Sequence, residues 1–551
     1  MASRETLQKA LNANYDLTFF RQNVLEPVFG SSLTIYSVPK HEPINPSEEK
    51  AVKNIKQYGE VKLTDYRQLY LYEVALAENV IVERNKVSIG AVVKRMIAGN
   101  NTVLVNFHYP HQTGKSWRLS FIAKEQVIDE EEIKKTETHP KRYTYVLGPL
   151  ETCRTAAERF EKLSRETDFT ADKLKKAFSV EKLSEKFFED YKYVHYSGFI
   201  QHIIGERIVL RGKKDFFEKV QAPSNLFKVI FSKGKSEDDA KKDVRDFVKK
   251  LLGRIVFLYF VQKKKWLGAS DEQWSDGDAN FLQNLFIASG QNENFYYLWL
   301  RKLFFDTLNN PNRSANGFKL PDGKTVKIPY LNGGLFEDDD PKGILVFPPR
   351  LFADLFEFFN QYNFTIYEDS PDDHTVAVDP EMLGHIFENL LEDNKDKGAF
   401  YTPKEIVHYM CQESLIEYLS TKLSITETAS FQPLGKDQTE IFGNDIKKGQ
   451  LGLTQEHKVK STDIEKADVE QFIKDKQLNG KIQKHAKNIN QYLDDVKICD
   501  PAIGSGAFPI GLLHEIFDAK QLLHQHCQDE GAFNAAEIKQ NIIQNSIYGV
   551  D

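Results

Sequence analysis

Asp500-Pro501-Ala502-Ile503-Gly504-Ser505-Gly506-Ala507-Phe508 is a strand end that turns into a helix through glycines. Before it, Asp494-Asp495-Val496-Lys497-Ile498-Cys499 supplies a short apolar strand, and after it Phe508 to Leu523 carries helical spacing at Ile510, Leu513 and Phe517. Glycine at 504 and 506 lets the backbone turn sharply and pass close to a ligand, leaving free amide donors at a helix N-terminus. A Gly-x-Gly alone is equally a packing turn, so its neighbours decide the reading.

Two segments flank the turn. Upstream, Lys397-Gly398-Ala399-Phe400-Tyr401-Thr402-Pro403 leads into an amphipathic segment, Lys404 to Leu419. Thr402 is placed to cap that helix, with Pro403 at its first position and Glu405 in its first turn. Downstream, Ser546-Ile547-Tyr548-Gly549-Val550-Asp551 is an apolar strand ending on an acid, where a doubly wound sheet holds ribose hydroxyls. These three segments resemble motifs X, I and II of the DNA amino-methyltransferases that use S-adenosylmethionine. Their order resembles the gamma arrangement of many N6-adenine enzymes. The resemblance implies that Asp500, Pro501, Ala502, Gly504 and Gly506 position the methionine end of S-adenosylmethionine. It implies also that Phe400, Tyr401 and Thr402 pack beside it and that Asp551 accepts both ribose hydroxyls. The family often carries a small residue or cysteine where this chain has Ile503, which implies a local packing difference and no lost ligand.

Gamma methyltransferases follow motif II with a motif IV of Asp/Asn-Pro-Pro-Tyr/Phe type, which holds the target amino group and stacks on the flipped base. No such tetrapeptide occurs here, and Asn309-Asn310-Pro311-Asn312 lies upstream of motif X. The expectation is therefore an N-terminal portion that does not itself methylate. The remaining methyltransferase and target-recognition parts are expected in the same polypeptide or a separate chain.

With 551 residues, 41% of them hydrophobic, the chain has material for several packed cores. Two to four domains are expected at about 100–200 residues each. Cys153, Cys411, Cys499 and Cys527 are scattered without CxxC spacing, so neither zinc nor a disulfide framework is indicated. The N-terminus lacks a signal-peptide series, and the apolar run Leu251 to Val261 is broken by Arg254, so a cytoplasmic protein with no membrane span is expected. A net charge of −7 excludes a uniformly basic DNA-coating protein but not local phosphate contacts. The densest basic run, Lys241-Lys242, Arg245, Lys249-Lys250, Arg254 and Lys263-Lys264-Lys265, reads first as a solvated helix face. The aromatic helix Phe247 to Phe260 reads as core.

Residues 1–165 carry period-2 stretches such as Leu69-Tyr70-Leu71-Tyr72-Glu73-Val74 and Val103-Leu104-Val105-Asn106-Phe107, which predict a mixed sheet. Residues 166–379 turn helical, with Phe178 to Tyr193, Asp239 to Trp266 and Phe295 to Leu308 the clearest segments. Residues 380–551 hold the three motifs, a leading helix at Pro380 to Glu388, and a polar insertion at about 426–491 read as part helical and part mobile. Trp117 to Phe121, Arg142 to Gly148, Arg154-Thr155-Ala156-Ala157-Glu158-Arg159-Phe160 and Pro329 to Phe336 resemble phrases of the type IIG restriction-modification family. The predicted fold class is α/β: a nuclease-like mixed sheet, a helical connector, and the first part of a class I, Rossmann-like methyltransferase domain.

That resemblance implies host-defence restriction-modification of double-stranded DNA, with adenine N6 methylation and linked Mg²⁺-dependent cleavage. A PD-(D/E)XK nuclease uses two carboxylates on Mg²⁺ and a lysine beside the attacking water. Asp65 and Glu73 are the candidate acids and metal ligands, with Glu60 a possible extra carboxylate. Ala75 stands where the lysine belongs, so Lys86 is the expected substitute. The alternative is that Asp65 is a turn residue and Glu73 a solvent-facing strand residue. His108, His111 and His139 show no metal-ligand spacing and are expected at the surface. Two other functions stay open: a phage-exclusion adenine methyltransferase without nuclease activity, and a non-catalytic nucleic-acid-binding scaffold.

Overall fold

The computed structural model of the protein describes residues 2–45, 48–49, 51–78, 80, 92, 96–97, 102–110, 114–124, 126–128, 135–137, 141–179, 181–212, 214–274, 276–311, 317–331, 334–338, 343–365, 373–378, 384, 402, 404–424, 463–504, 506–527 and 533–550. They form two units, Met1–Asn394 and Lys395–Asp551.

The first unit is built on a seven-stranded mixed sheet. Its strands are β1 (Leu33–His41), β2 (Val52–Lys62), β3 (Gln68–Leu76), β4 (Thr102–His108), β5 (Trp117–Ala123) and, after a ribbon of β6 (Gln126–Ile128) and β7 (Lys135–Glu137), β8 (Lys141–Leu147). The order is β1-β2-β3-β4-β5-β8, with the short strand Asp373–Thr375 at the far edge. β3 and β4 run parallel, as do β8 and Asp373–Thr375. Strict alternation sorts side chains to opposite faces. Leu71, Leu104, Leu119, Phe121 and Tyr145 belong to one core, and Ile55, Tyr72, Val74, Val103, Val105 and Phe107 to another.

The first of these cores continues without a break into the helices Glu181–Asp190, Glu237–Lys263 and Pro349–Phe359, through Phe187, Leu251 and Phe356. The helices that follow the boundary expected between residues 165 and 166 thus share a core with the sheet. The helices bury their apolar faces in the core that also covers the sheet, where a separate connector would need a core of its own. Most of the leading helix expected at Pro380 to Glu388 lies outside the described residues.

Helix Glu237–Lys263 is capped by Ser236, whose hydroxyl accepts from the Asp239 amide, and carries Glu237, Asp238 and Asp239 in its first turn. Its basic run is not one solvated face. Lys241 pairs with Glu206 and Glu237, and Arg254 is buried, donating to the Leu335 carbonyl (2.6 Å) and the Glu337 carbonyl (3.0 Å). The Arg254 guanidinium also lies 5.0 Å from the Phe305 ring centre.

The second unit contains a long helix, Lys404–Ser424, the helices Lys466–Lys474, Gly480–Lys484 and Ala486–Asp495, and a strand-helix-helix-strand unit. That unit runs Ile498–Asp500, Ala507–His524, Ala535–Asn545 and Ile547–Gly549, and its two strands pair in parallel, Asp500 opposite Gly549. Leu415, Leu419, Phe472, Ile489, Leu493, Ile516 and Leu523 form its core. The strand expected from Asp494 begins only at Ile498, because Asp494 and Asp495 close the preceding helix. The described part of the polar insertion, from residue 463, is largely helical, and residues 425–462 lie outside the described residues. Buried Glu515 ties three segments together: His408 Nδ1 lies 2.8 Å from one oxygen and Lys476 Nζ 2.7 Å from the other. Burial opposes its charge, but the hydrogen bond with His408 and the Lys476 charge outweigh burial and hold the carboxyl below its ordinary range.

Among the described residues no helix is long and apolar enough to cross a membrane. All four cysteines are free thiols. Arg254→Met should destabilise the first unit by about 1–3 kcal/mol, since two part-buried carbonyls lose their charged donor. Urea unfolding followed by tryptophan fluorescence checks this, and an unchanged midpoint would remove Arg254 as a bracing residue.

Candidate functional sites

The turn after strand Ile498–Asp500 is shaped by its backbone. Gly504 (φ 48°) and Gly506 (φ 81°) sit in the left-handed region, and a Cβ on Gly504 would meet nothing closer than 3.9 Å. The cost of a side chain there is conformational and the space above the turn is open. Asp500 Oδ1 accepts from the Ala502 amide at 3.0 Å, while Oδ2 is buried with no partner among the described residues. The loop is pinned to the neighbouring strand twice: the Val550 amide donates to the Asp500 carbonyl (2.9 Å) and the Ile503 amide to the Val550 carbonyl (3.0 Å).

Ile503 packs onto Gly549. A Cβ there would come within 2.1 Å of Ile503 Cδ1. One helical turn further, Gly511 brings helix Ala507–His524 against Cys411 of helix Lys404–Ser424, where a Cβ would stand 2.9 Å from the sulfur. Pro501, Ala502 and Gly504 are exposed at the turn, and Thr402 is half-buried just ahead of its helix. Phe400, Tyr401, Pro403 and Asp551 lie outside the described residues.

The sheet of the first unit carries a buried polar row. In register, Lys56 of β2 faces Glu73 of β3, which faces Asn106 of β4. Glu73 is 6% exposed; its Oε2 meets the Lys56 ammonium and its Oε1 lies 3.3 Å from His108 Nε2. Tyr58 donates to Asn106 Oδ1 at 3.0 Å, and Tyr15 packs its ring 4.7 Å from that of His108. Asn106 Nδ2 and the Tyr15 hydroxyl are buried without a partner among the described residues. Burial first, then the Lys56 charge, push His108 down to about 4, so the ring is neutral near pH 7.

The two candidate acids of the cleavage site stand apart in this geometry. Asp65 lies in the β2–β3 turn, where Oδ2 accepts from the Ala171 amide (2.8 Å) at the start of helix Ala171–Ala177 and Oδ1 from the Arg67 amide (3.4 Å). Glu73 lies five positions beyond the first residue of β3, on the order of 16 Å along the strand. Asp65 and Glu73 therefore do not converge on one cation. Nor is Glu73 solvent-facing. Glu60 accepts from the Tyr36 hydroxyl at 2.7 Å and pairs opposite Tyr70, away from the Lys56–Glu73 row. Magnesium prefers several oxygen ligands in a near-octahedral shell. The row offers Glu73 as its one carboxylate, and among the described residues no cluster of three or more His, Cys, Asp or Glu forms. The donors present thus do not fit Mg²⁺.

Lys86, His111 and His139 lie outside the described residues. The lysine that meets Glu73 is Lys56, which sequence reading missed because only strand register brings it across from Glu73. His108 was likewise read as a surface residue, and the alternating run ending at Phe107 is the signal that places it on the same face.

No family model matches this chain. A candidate type II restriction enzyme and methyltransferase of Methanocaldococcus jannaschii is 27% identical over 350 residues, covering 62% of this chain and 25% of that protein. The chain thus spans about a quarter of the relative's length. A solved structure of the type IIL restriction-modification enzyme MmeI in complex with DNA aligns at 15% identity over 51% of this chain and 28% of that one, with a TM-score of 0.28.

Two outcomes follow from the row and the loop. His108 favours the folded state in its neutral form, so its contribution is complete above the ordinary value of 6.5 and is lost as pH falls through about 4. Lys56→Met should raise the His108 pKa, read from its imidazole proton shifts in NMR titration, and should cost roughly 2–4 kcal/mol by leaving buried Glu73 uncompensated. An unmoved pKa would mean that Lys56 does not act on the ring. Gly549→Ala should destabilise the second unit by about 1–3 kcal/mol through overpacking against Ile503, and an unchanged thermal melt would contradict that contact.

Proposed function

We propose that the chain belongs to a DNA restriction-modification enzyme and that its second unit holds S-adenosylmethionine on the Asp500–Gly506 turn. The observation that carries the reading is the Asp500 carboxylate. One oxygen shapes the turn and the other is buried, unpartnered, at the end of a parallel strand that runs into a helix. Such a turn in a doubly wound sheet is a ligand site. The fit to this cofactor is chemical: open left-handed glycines admit it closely, and a buried carboxylate oxygen is poised for its cationic methionine end. The relative named a restriction enzyme and methyltransferase supports the same reading.

When bound, the cofactor supplies an electrophilic methyl group. Asp500 and the backbone of Ala502 to Gly506 then orient its methionine end, Thr402 lies ahead of the helix of motif X, and Phe400, Tyr401 and Asp551 complete the pocket as the motif resemblance implies. Adenine N6 of double-stranded DNA is the proposed acceptor. These 551 residues contain no motif IV tetrapeptide to hold the target amino group, so no transfer of labelled methyl by this chain alone is expected.

One observation favours modification without cleavage by this chain, as in the phage-exclusion alternative: Asp65 is engaged by backbone amides, which leaves Glu73 as the one acid of the buried row. Mg²⁺-dependent nicking of plasmid DNA, abolished by Glu73→Gln, would restore the cleavage reading.

Titration calorimetry with S-adenosylmethionine tests the main proposal. Binding is expected, and Asp500→Asn should weaken it by roughly 1.5–3 kcal/mol, as expected for a charged hydrogen bond. Equal affinity in the variant would take Asp500 out of the site. No heat with wild-type protein would remove the cofactor reading.

A further inference from the structure

The phrase Arg154 to Phe160 enters neither the cofactor loop nor the polar row, yet it forms one wall of a cleft of about 330 Å³. The cleft lies among the helices Arg154–Leu163, Ala171–Ala177 and Glu181–Asp190, with Tyr362 closing one side. Six cations line it, Arg154, Arg159, Lys162, Lys173, Lys176 and Lys186, against two acids, Glu158 and Glu166, an excess of four positive charges in a protein whose net charge is −7. Spacing along the first helix sets this up, because residues 154, 155, 158, 159 and 162 recur every three or four positions and so share a face.

The cations divide by role. Arg159 is a brace, donating to the Ser179 carbonyl (2.6 Å), the Ala177 carbonyl (3.3 Å) and the Tyr145 hydroxyl (3.4 Å), and so tying two helices to β8. Lys173 is held by Glu166 and Asp168, and Glu158 is shared by Lys162 (3.5 Å) and Lys186 (3.9 Å). Arg154 and Lys176 have no ion-pair partner among the described residues, although both line the cleft. Arg154 and Lys176 thus leave two positive charges uncompensated in the cleft, a repulsion that an anion would relieve.

We infer that this cleft binds a phosphate group through Arg154 and Lys176. A phosphate suits the site better than a lone carboxylate. Two uncompensated charges call for a multiply charged anion, and Arg154 and Lys176, both on the cleft wall, offer a planar fork and a point charge. Leu163, Ala177, Leu183 and Tyr362 add apolar wall, so the phosphate is carried on an organic body. The volume sits at the small end of ligand pockets, the scale of a mononucleotide. The same chemistry is available from a free nucleotide or from the backbone of a DNA strand. The site shares no residue with the cofactor turn, so its test is independent of that reading.

The experiment compares Arg154→Gln/Lys176→Gln with wild type and with Lys228→Gln/Lys233→Gln. The last neutralises two exposed lysines of the same unit away from the cleft. Each protein is titrated with adenosine triphosphate by calorimetry and with a labelled 20-base-pair duplex by anisotropy at several salt concentrations, and thermal melts confirm folding. Weakening of nucleotide binding by roughly tenfold or more in the cleft variant alone supports a free ligand. Weakening confined to the duplex, with the salt slope reduced by about 2 for two lost phosphate contacts, supports a DNA strand as the source. Restored binding in Arg154→Lys/Lys176→Arg supports either source. Equal effects of the cleft and control variants, or no binding of either probe to wild type, overturns the inference.

Discussion

The second unit turns on one close contact: Ile503 lies where any side chain on residue 549 would have to stand. Because residue 549 is glycine, two three-residue strands can approach closely enough for Val550 to pin the turn from both sides, through the Asp500 carbonyl and the Ile503 amide. The turn then has one shape, with Gly504 and Gly506 left-handed and the Asp500 carboxylate divided between its own loop and an unpartnered direction. A larger residue at 549 would separate the strands and release the turn. The bulk of Ile503 is therefore accommodated by the glycine opposite it.

The first unit depends on charge placement inside a sheet. A buried glutamate is tolerable because a lysine stands opposite it on the next strand and a neutral imidazole closes its other side. The same arrangement makes the row a poor magnesium site, since the acid is already compensated and its neighbours in register are a lysine and an amide. Magnesium would need further oxygen ligands, and Asp65, the other candidate acid, anchors a helix start instead.

Local signals were legible where they were short-range. Period-2 alternation located β3, β4 and β5, and helical spacing located the helices Glu237–Lys263 and Lys404–Ser424. Gly504 and Gly506 marked the turn. Long-range pairing was not legible. The run Phe178 to Tyr193 reads as one helix, yet its helix begins only at Glu181 and winds into a wider turn at Tyr191–Tyr196. Nothing in the alternation of β2 says that Lys56 falls opposite Glu73, because a bulge between Gln57 and Gly59 sets that register. Near residue 165 composition changes from strand-like to helical, while one core runs across both sides. Asp65 was read correctly in only one of its two alternatives, the turn residue.

Hydrogen–deuterium exchange with and without S-adenosylhomocysteine, the demethylated product, tests the central claim most directly. Slowed exchange confined to the segments around 500–510 and 547–550 is expected, because the ligand would cover the turn and the strand that pins it. Unchanged exchange in those segments, or protection appearing only in the unit Met1–Asn394, would contradict it.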